Sequence, residues 1–447
     1  MIPETMATAL HREIALHLAD EIPSGSNLLL LGNEVERLSS ALEERRFNVT
    51  LAQPKNGLIQ WFSQQKFPKR FDGIVANDLL SKLNDEDLES LLDIALTLIT
   101  ANGILYIREN LRGKKSRNLA QYTHIFDLFS SEPDSNGKSE GYSFLWARPL
   151  QTSIHSSCNW SDFCWMLRKK SIQSDANPNS DSSTLSSKST FRAFLDQKQY
   201  SETGITMYEW IFGEGFISPG GIQQNREFLN KIGLRPGQRV LDVGCGIGGN
   251  AFQMAEEFGV SVVGVDLSSN MIKIAVDKAN LTKNTLVDLL IADVTSFDFP
   301  PNSFDVIYSR DCIIHIPDKK GLFARFNKWL KPGGIVLLTD YNVGEKEFRP
   351  SFKEYLANRQ YALRPITVYT KALQDSNFDE IESMDLTRRF REILTNELSR
   401  AEKQKHVFVN KFSSDKYDHL TDGWRSKLVH IDNGDHKWAM YRAVKKS

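Results

Sequence analysis

Asp242, Asp266 and Asp293 flank a run of glycines that invites a ligand. The run Val240-Leu241-Asp242-Val243-Gly244-Cys245-Gly246-Ile247-Gly248-Gly249 follows an apolar strand pattern and opens a helical one. Glycines at such a junction let the backbone approach a ligand closely and aim helix N-terminal amides at it. Asp266 lies 20 residues beyond Gly246 at the end of the next strand pattern, where a carboxylate can accept both hydroxyls of a ribose. Asp293 follows a third strand pattern, at the height of an adenine ring. Arg310, Asp311 and His315 come just past a fourth, at the carboxyl end where open α/β sheets place their ligands. Imidazole is a base near neutral pH. Lys353 to Tyr361 reads KEYLANRQY, and the spacing predicts Tyr355, Arg359 and Tyr361 near one another on a helix. Arg359 there can grip a phosphate bidentately, with two phenols donating beside it.

Gly244, Gly246 and Gly249 also satisfy the dinucleotide pattern GxGxxG. Asp242 points elsewhere, because an acid within the first strand is poorly suited to face a pyrophosphate. It can orient water or an ammonium beside a cationic ligand. S-adenosylmethionine is such a ligand, with a sulfonium, an α-amino group and no phosphate. Leu241-Asp242-Val243-Gly244-Cys245-Gly246 resembles motif I of class I S-adenosylmethionine-dependent methyltransferases.

The elements that must hold these residues alternate. Strands are predicted at 239–243, 260–265, 286–291, 304–309 and 335–339, the last after the turn Lys331-Pro332-Gly333-Gly334. Helical patterns at 250–258, 270–279 and 320–330 separate them, which predicts a parallel, doubly wound sheet. The chain carries the same plan twice. Phe71-Asp72-Gly73-Ile74-Val75 matches Phe304-Asp305-Val306-Ile307-Tyr308, and Gly103-Ile104-Leu105 matches Gly334-Ile335-Val336, in the same order. Two ordered matches indicate an internal duplication. The first copy is worn: Leu28 to Gly32 aligns with the strand before the glycine loop, Leu30 replaces Asp242, Glu34 replaces Gly246, and Gln53 stands near the place of Asp266. Asn77 replaces Arg310 and Lys82 replaces His315, while Asp78 keeps the place of Asp311. A protonated lysine cannot accept a proton, so a single active site is expected in the second copy. Between the copies, residues 171–190 hold eight serines among twenty residues, too polar to bury a core. The expected organisation is a degenerate domain at 1–170, a linker at 171–190 and an active domain at 191–447.

Composition narrows the classes. With 55 basic and 56 acidic residues the net charge is −1, which argues against a protein built to neutralise nucleic acid or an anionic membrane. Residues 1–20 contain His11, Arg12, Glu13 and His17 and hold no signal-peptide core. The aliphatic run Leu28 to Leu31 falls far short of the roughly 20 residues a bilayer crossing needs. Cys158, Cys164, Cys245 and Cys312 form no CxxC pair, which speaks against zinc and a disulfide framework. A cytoplasmic protein without stable membrane insertion is expected.

Gln199-Tyr200-Ser201-Glu202-Thr203-Gly204 and the stretch Tyr208 to Gly221, YEWIFGEGFISPGG, precede the glycine loop. With Ser309-Arg310-Asp311, His315 and Thr339-Asp340-Tyr341, they closely resemble the phosphoethanolamine N-methyltransferases from about Gln199 to Lys445. The degenerate-then-intact layout is similar to the second of the two nematode enzymes of that family. The resemblance implies S-adenosylmethionine as methyl donor, S-adenosylhomocysteine as product, and a small phosphobase as acceptor. It associates such members with phosphomonomethylethanolamine, phosphodimethylethanolamine and phosphocholine. His315 would pair with Tyr200 to deprotonate the amine, and Asp311 would orient the pair or bind the amine. Tyr200, Ser218, Asp242, Gly244, Gly246, Asp266, Leu267, Asp293 and Arg310 would face the cofactor. Tyr208, Tyr341, Tyr355, Arg359, Tyr361 and Lys427 would hold the phosphate end and suit a methylated ammonium. In-line transfer from a sulfonium requires no metal. Turnover of all three phosphobases, or of another small amine, stays open at this level. The charges of Arg359 and Lys427 argue against a neutral sterol.

Overall fold

The computed structural model describes residues 6–52, 58–65, 67, 69–111, 118–131, 142–150, 162–170 and 191–446. The Ser-rich segment 171–190, Gln53 and Cys158 lie outside these residues. The chain folds as two compact units, the first built mainly from residues 1–196 and the second mainly from 197–447.

The first unit contains β1 (Asn27–Gly32), β2 (Asn48–Leu51), β3 (Phe71–Asn77), β4 (Ile99–Asn110), β5 (Tyr142–Pro149) and β6 (Asp162–Lys169), in the order β5-β6-β4-β3-β1-β2. Strands β2, β1, β3 and β4 run parallel, and β6 joins β4 and β5 antiparallel. The second unit contains β7 (Arg239–Val243), β8 (Ser261–Asp266), β9 (Val287–Ile291), β10 (Phe304–Arg310), β11 (Leu330–Val343), β12 (Phe378–Asp385) and β13 (His436–Lys445), in the order β12-β13-β11-β10-β7-β8-β9. The five strands expected from the alternating pattern are all present, and β13 extends them antiparallel between β11 and β12. Runs such as Val240 to Val243 are buried on both faces, as central strands covered by helices require.

The predicted turn at Lys331 to Gly334 is a bulge inside β11 instead. Phe304 pairs with Leu330 and Val306 with Ile335, so the ladder resumes after the extra residues, and Gly333 supplies the positive φ of 74°. The first copy carries the same irregularity between Phe71 and Gly73 against β4. Other details repeat as well. Asp72 accepts from the Asn27 amide at 2.9 Å, and Asp305 from the Arg239 amide at 2.8 Å. Asp78 and Asp311 both take a left-handed φ of 51°, and each leads into a single 3-10 turn, Leu80–Lys82 and Ile313–His315.

The copies differ where a ligand would sit. In the first, Asn33 donates to the Asp78 carbonyl at 3.2 Å, receives Asn77 Nδ2 on its own carbonyl at 2.6 Å and accepts from Lys82 Nζ at 2.7 Å. Glu34 keeps the left-handed backbone of the lost glycine (φ 51°) and turns its carboxylate toward His11, 3.5 Å away. Polar side chains bond to one another across the space that the second copy leaves to its glycines, though Asn77 Oδ1 stays buried without a hydrogen bond.

Candidate active site

Gly244 ends β7 with φ 74°, and a Cβ there would fall 2.0 Å from Cys312 Sγ. A side chain at this position is therefore excluded both by backbone conformation and by contact. The amide of Gly246 donates to Asp266 Oδ2 at 2.9 Å, and Asp266 Oδ1 accepts from the Ser268 amide at 2.9 Å. These bonds fix the glycine loop to the end of β8. Leu267 follows, half-buried. Asp293, beyond β9, caps its own turn by accepting from Thr295. Beneath the loop Asp242 is fully buried, with no hydrogen bond to either carboxyl oxygen. Burial pushes its pKa up to about 8; Asp266 adds to the rise and Arg310 opposes it. An orphaned buried carboxyl beside a glycine loop fits a ligand bearing an ammonium and a sulfonium. Arg310 ends β10 and donates to the Pro219 and Gly221 carbonyls at 2.7 and 3.4 Å, which holds buried Ser218 next to it in sequence.

The second cluster is aromatic and cationic. Arg359 ends the helix Pro350–Arg359 and donates to the Tyr208 hydroxyl at 3.0 Å. Gln360 then takes a left-handed φ of 51° and closes the helix. Tyr361 is accordingly off the helix, a correction to the predicted spacing argument. The αL turn folds it back so that its ring lies 5.9 Å from Tyr355, 6.3 Å from Tyr341 and 5.1 Å from His315. Tyr200 lies 6.5 Å from Tyr208, and its hydroxyl accepts from Gln199 at 3.2 Å. Lys427 is buried with its ammonium 5.7 Å from the Tyr341 ring and 4.6 Å from Trp424. Burial, and after it the neighbouring Arg359, lower its pKa to about 7 against the opposing pull of Glu397 and Asp311.

His315 sits on the 3-10 turn and shares its Nδ1 proton with the Gln360 carbonyl at 3.1 Å. The neutral ring that donates from Nδ1 carries its lone pair on Nε2. Burial drives its pKa down to about 4, so the imidazole is neutral at physiological pH. Asp311 accepts from Trp438 Nε1 at 2.7 Å and from Thr339 Oγ1 at 3.0 Å, while its other oxygen is buried without a hydrogen bond. Burial raises its pKa. The tyrosines, Arg359, Lys427 and His315 thus join into one contiguous wall. Asp293 stands apart from that wall, at the end of β9.

Residues 8–173 match the family described as Phosphoethanolamine N-methyltransferase 2 N-terminal, and residues 240–334 match a methyltransferase domain. Over 438 residues the chain is 35% identical to phosphoethanolamine N-methyltransferase 2 of Caenorhabditis elegans, covering 96% of this chain and 97% of that one. This chain belongs to the phosphoethanolamine N-methyltransferase family. It is also 39% identical to phosphoethanolamine N-methyltransferase 3 of Arabidopsis thaliana over 388 residues, 84% of this chain and 76% of the plant protein. Among solved structures, it superposes on phosphoethanolamine N-methyltransferase 2 of Haemonchus contortus with a TM-score of 0.83 and 35% identity, covering 98% of this chain and 99% of that one. That structure is a complex with phosphomonomethylethanolamine and S-adenosylhomocysteine.

Several residues packed against these groups carried no sequence signal. Trp438 reaches Asp311 from a strand 127 residues away. His436 is fully buried among Tyr341, Tyr355 and Phe390, 5.0, 5.7 and 5.5 Å from its ring, with neither nitrogen hydrogen-bonded. Gln199 lay within the quoted motif, and its contact to the Tyr200 hydroxyl explains its place there. Among the described residues no group of three or more His, Cys, Asp or Glu could hold a metal ion, and no helix is long and apolar enough to cross a membrane.

The raised pKa of Asp242 has a measurable consequence. At pH 7 the carboxyl without ligand is largely protonated, and an ammonium partner favours the ionised form. Cofactor binding is therefore expected to release a proton and to strengthen from pH 6 to pH 8. Calorimetry of S-adenosylhomocysteine binding in buffers of different ionisation enthalpy measures this. Asp242→Asn is expected to abolish the proton release and to weaken binding by about 1.5–3 kcal/mol, roughly 10- to 150-fold. An unchanged proton count in the variant would remove Asp242 from the cofactor site.

Proposed function

We propose that this enzyme methylates phosphomonomethylethanolamine to phosphodimethylethanolamine and then to phosphocholine, with S-adenosylmethionine as donor. The observation that carries the reading is the joining of His315 to the Arg359 and Lys427 pocket through Tyr361. A base and a dianion site stand on one wall, as a phosphate at one end of a small amine and a reacting nitrogen at the other require. The Haemonchus contortus complex, which holds phosphomonomethylethanolamine, supports the choice of acceptor.

S-adenosylmethionine, when bound, supplies a methyl group on a sulfonium that an amine lone pair can attack in line. Asp242, Gly244, Gly246, Asp266, Leu267, Asp293, Ser218 and Arg310 would hold it, and Tyr200 would border both ligands. Arg359 and Lys427 take the phosphate, with Tyr208, Tyr355 and Tyr361 donating around it and Tyr341 presenting a ring face. The amine has a solution pKa near 10, so a proton must leave before attack. His315 Nε2 accepts it. The Gln360 carbonyl fixes the tautomer that makes this possible. Burial holds the Tyr200 phenol well above its ordinary pKa, so it stays protonated and orients the nitrogen rather than competing as base. Asp311, clamped by Trp438 and Thr339, supplies the negative charge that draws the ammonium in.

Methyl transfer from labelled S-adenosylmethionine to phosphoethanolamine and to its mono- and dimethyl forms, each offered separately, tests the reading. Turnover of only the methylated forms is expected. Turnover of all three would make this a complete phosphocholine synthase, and turnover of none, with cofactor bound, would leave the fold right and the acceptor wrong.

A further inference from the structure

Glu397 lies on the helix Thr387–Lys403, buried to 3% exposure, far in sequence from every residue assigned above. Its Oε1 accepts from the Gly220 amide at 2.9 Å and its Oε2 from Trp424 Nε1 at 2.9 Å. The two donors belong to different halves of the site. Gly220 follows Ser218 by two residues, and its neighbours Pro219 and Gly221 are the carbonyl partners of Arg310. Trp424 lies one helical turn before Lys427, against that ammonium at 4.6 Å, and its ring also lies 5.1 Å from Phe212 and 6.2 Å from Tyr208. On the same helix Arg400 donates to the Ile211 carbonyl, near the end of the helix that carries Tyr208.

A buried carboxyl hydrogen-bonded to two neutral donors, with only the nearby Lys427 and Arg400 charges offsetting its burial, is a costly joint if packing is all that is needed, since an apolar side chain of similar volume would fill the space without desolvating a charge. What an apolar side chain cannot do is hold two donors at fixed distance from one group. We propose that Glu397 is a positioning residue that couples phosphobase binding to cofactor binding, by tying the Ser218–Gly221 segment to the Trp424 face of the phosphate pocket. This rests on the reading of the two pockets given above. An anion that draws Lys427 into place orders Trp424 on one oxygen of Glu397, and the other oxygen then presents Gly220 and the segment beside Ser218. The coupling must act equally in both directions.

The test measures the affinity of the full chain for S-adenosylhomocysteine with and without saturating phosphocholine, and the converse titration. In the wild type each ligand is expected to tighten the other by at least about fivefold, by the same factor in both titrations. In Glu397→Gln, whose amide cannot accept from both donors, the factor is expected to fall below about twofold. Trp424→Phe, which keeps an aromatic face but loses the indole N–H together with part of the ring, is expected to lower it likewise, and decides the matter if the glutamine variant does not fold. Wild-type coupling retained in the variants, or absent from the wild type, overturns the proposal. Binding of S-adenosylhomocysteine but of no phosphobase by the wild type would instead overturn the pocket assignment, and the coupling with it.

Discussion

His315→Ala is expected to lower kcat by about 10²- to 10⁴-fold, the usual worth of a positioned base, with little change in the affinity for S-adenosylhomocysteine. A secondary or tertiary alkylammonium with a pKa near 10 is almost entirely protonated at pH 7, and only its free base carries a lone pair. His315 is neutral there because burial has pushed its pKa down to about 4, and its Nδ1 is committed to the Gln360 carbonyl. Two signs follow for the pH profile. The imidazole does not titrate between pH 6 and 8, so His315 itself is expected to add no inflection to kcat/KM near the ordinary histidine pKa of about 6.5. The amine adds a limb that rises with pH as deprotonation becomes easier, beside the titrations of Asp242 and Lys427 in the same range. His315→Ala should keep that rising limb at a lower level, with activity partly recovered at high pH where the amine loses its proton unaided. Steady-state kinetics from pH 6 to 10 check both points. A wild-type inflection near 6.5 that vanishes in the variant would mean that His315 titrates in the working range and that its surroundings are wetter than the structure indicates.

Arg359→Ala is expected to raise the KM for the phosphobase by about 2–4 kcal/mol, roughly 30- to 1000-fold, with a smaller effect on kcat and almost none on the KM for S-adenosylmethionine. The guanidinium donates to Tyr208 in the described state and lies within the ring of tyrosines that includes Tyr355 and Tyr361. Removing it strips the pocket of its permanent cation, since the other, Lys427, has a pKa depressed to about 7 and needs the phosphate to stay charged. Arg359→Lys should recover part of the loss, because a lysine keeps the charge but not the planar fork. A comparable rise in KM for both substrates would place Arg359 in the scaffold rather than at the phosphate.

Sequence alone carried the cofactor side further than the acceptor side, for a physical reason. The glycine loop and Asp242 are local to one strand–turn–helix unit, Asp266 ends the next strand, and the positive φ of 74° at Gly244 leaves its mark on residue type. The aromatic and cationic wall is assembled from distant segments: Tyr200 and Tyr208, His315, Tyr341, Tyr355 to Tyr361, and Lys427. Only likeness to a known family linked them before the fold did. Helical spacing placed Tyr361 on the wrong element because Gln360, a residue with no particular turn preference, adopts the left-handed conformation that ends the helix. Trp438 and His436 were illegible because β13 pairs with β11 across more than ninety residues of intervening chain, and an antiparallel strand after a helical segment has no motif of its own. The bulge at Gly333 was legible as a break but not as a break inside a continuous strand.

Asn33 in the first copy bonds at once to Asp78, Asn77 and Lys82. A polar cluster whose groups bond to one another in this way does not change by one step. Lys82→His alone leaves Asn33 tied to Asn77 and Asp78, Asn33→Cys alone takes the acceptor from Lys82 and the donor from Asp78, and Glu34→Gly alone abandons His11. Each ancestral residue, restored singly, meets neighbours already adapted to its absence and gives up contacts before any ligand can repay them. Duplication followed by this kind of internal repair works as a ratchet.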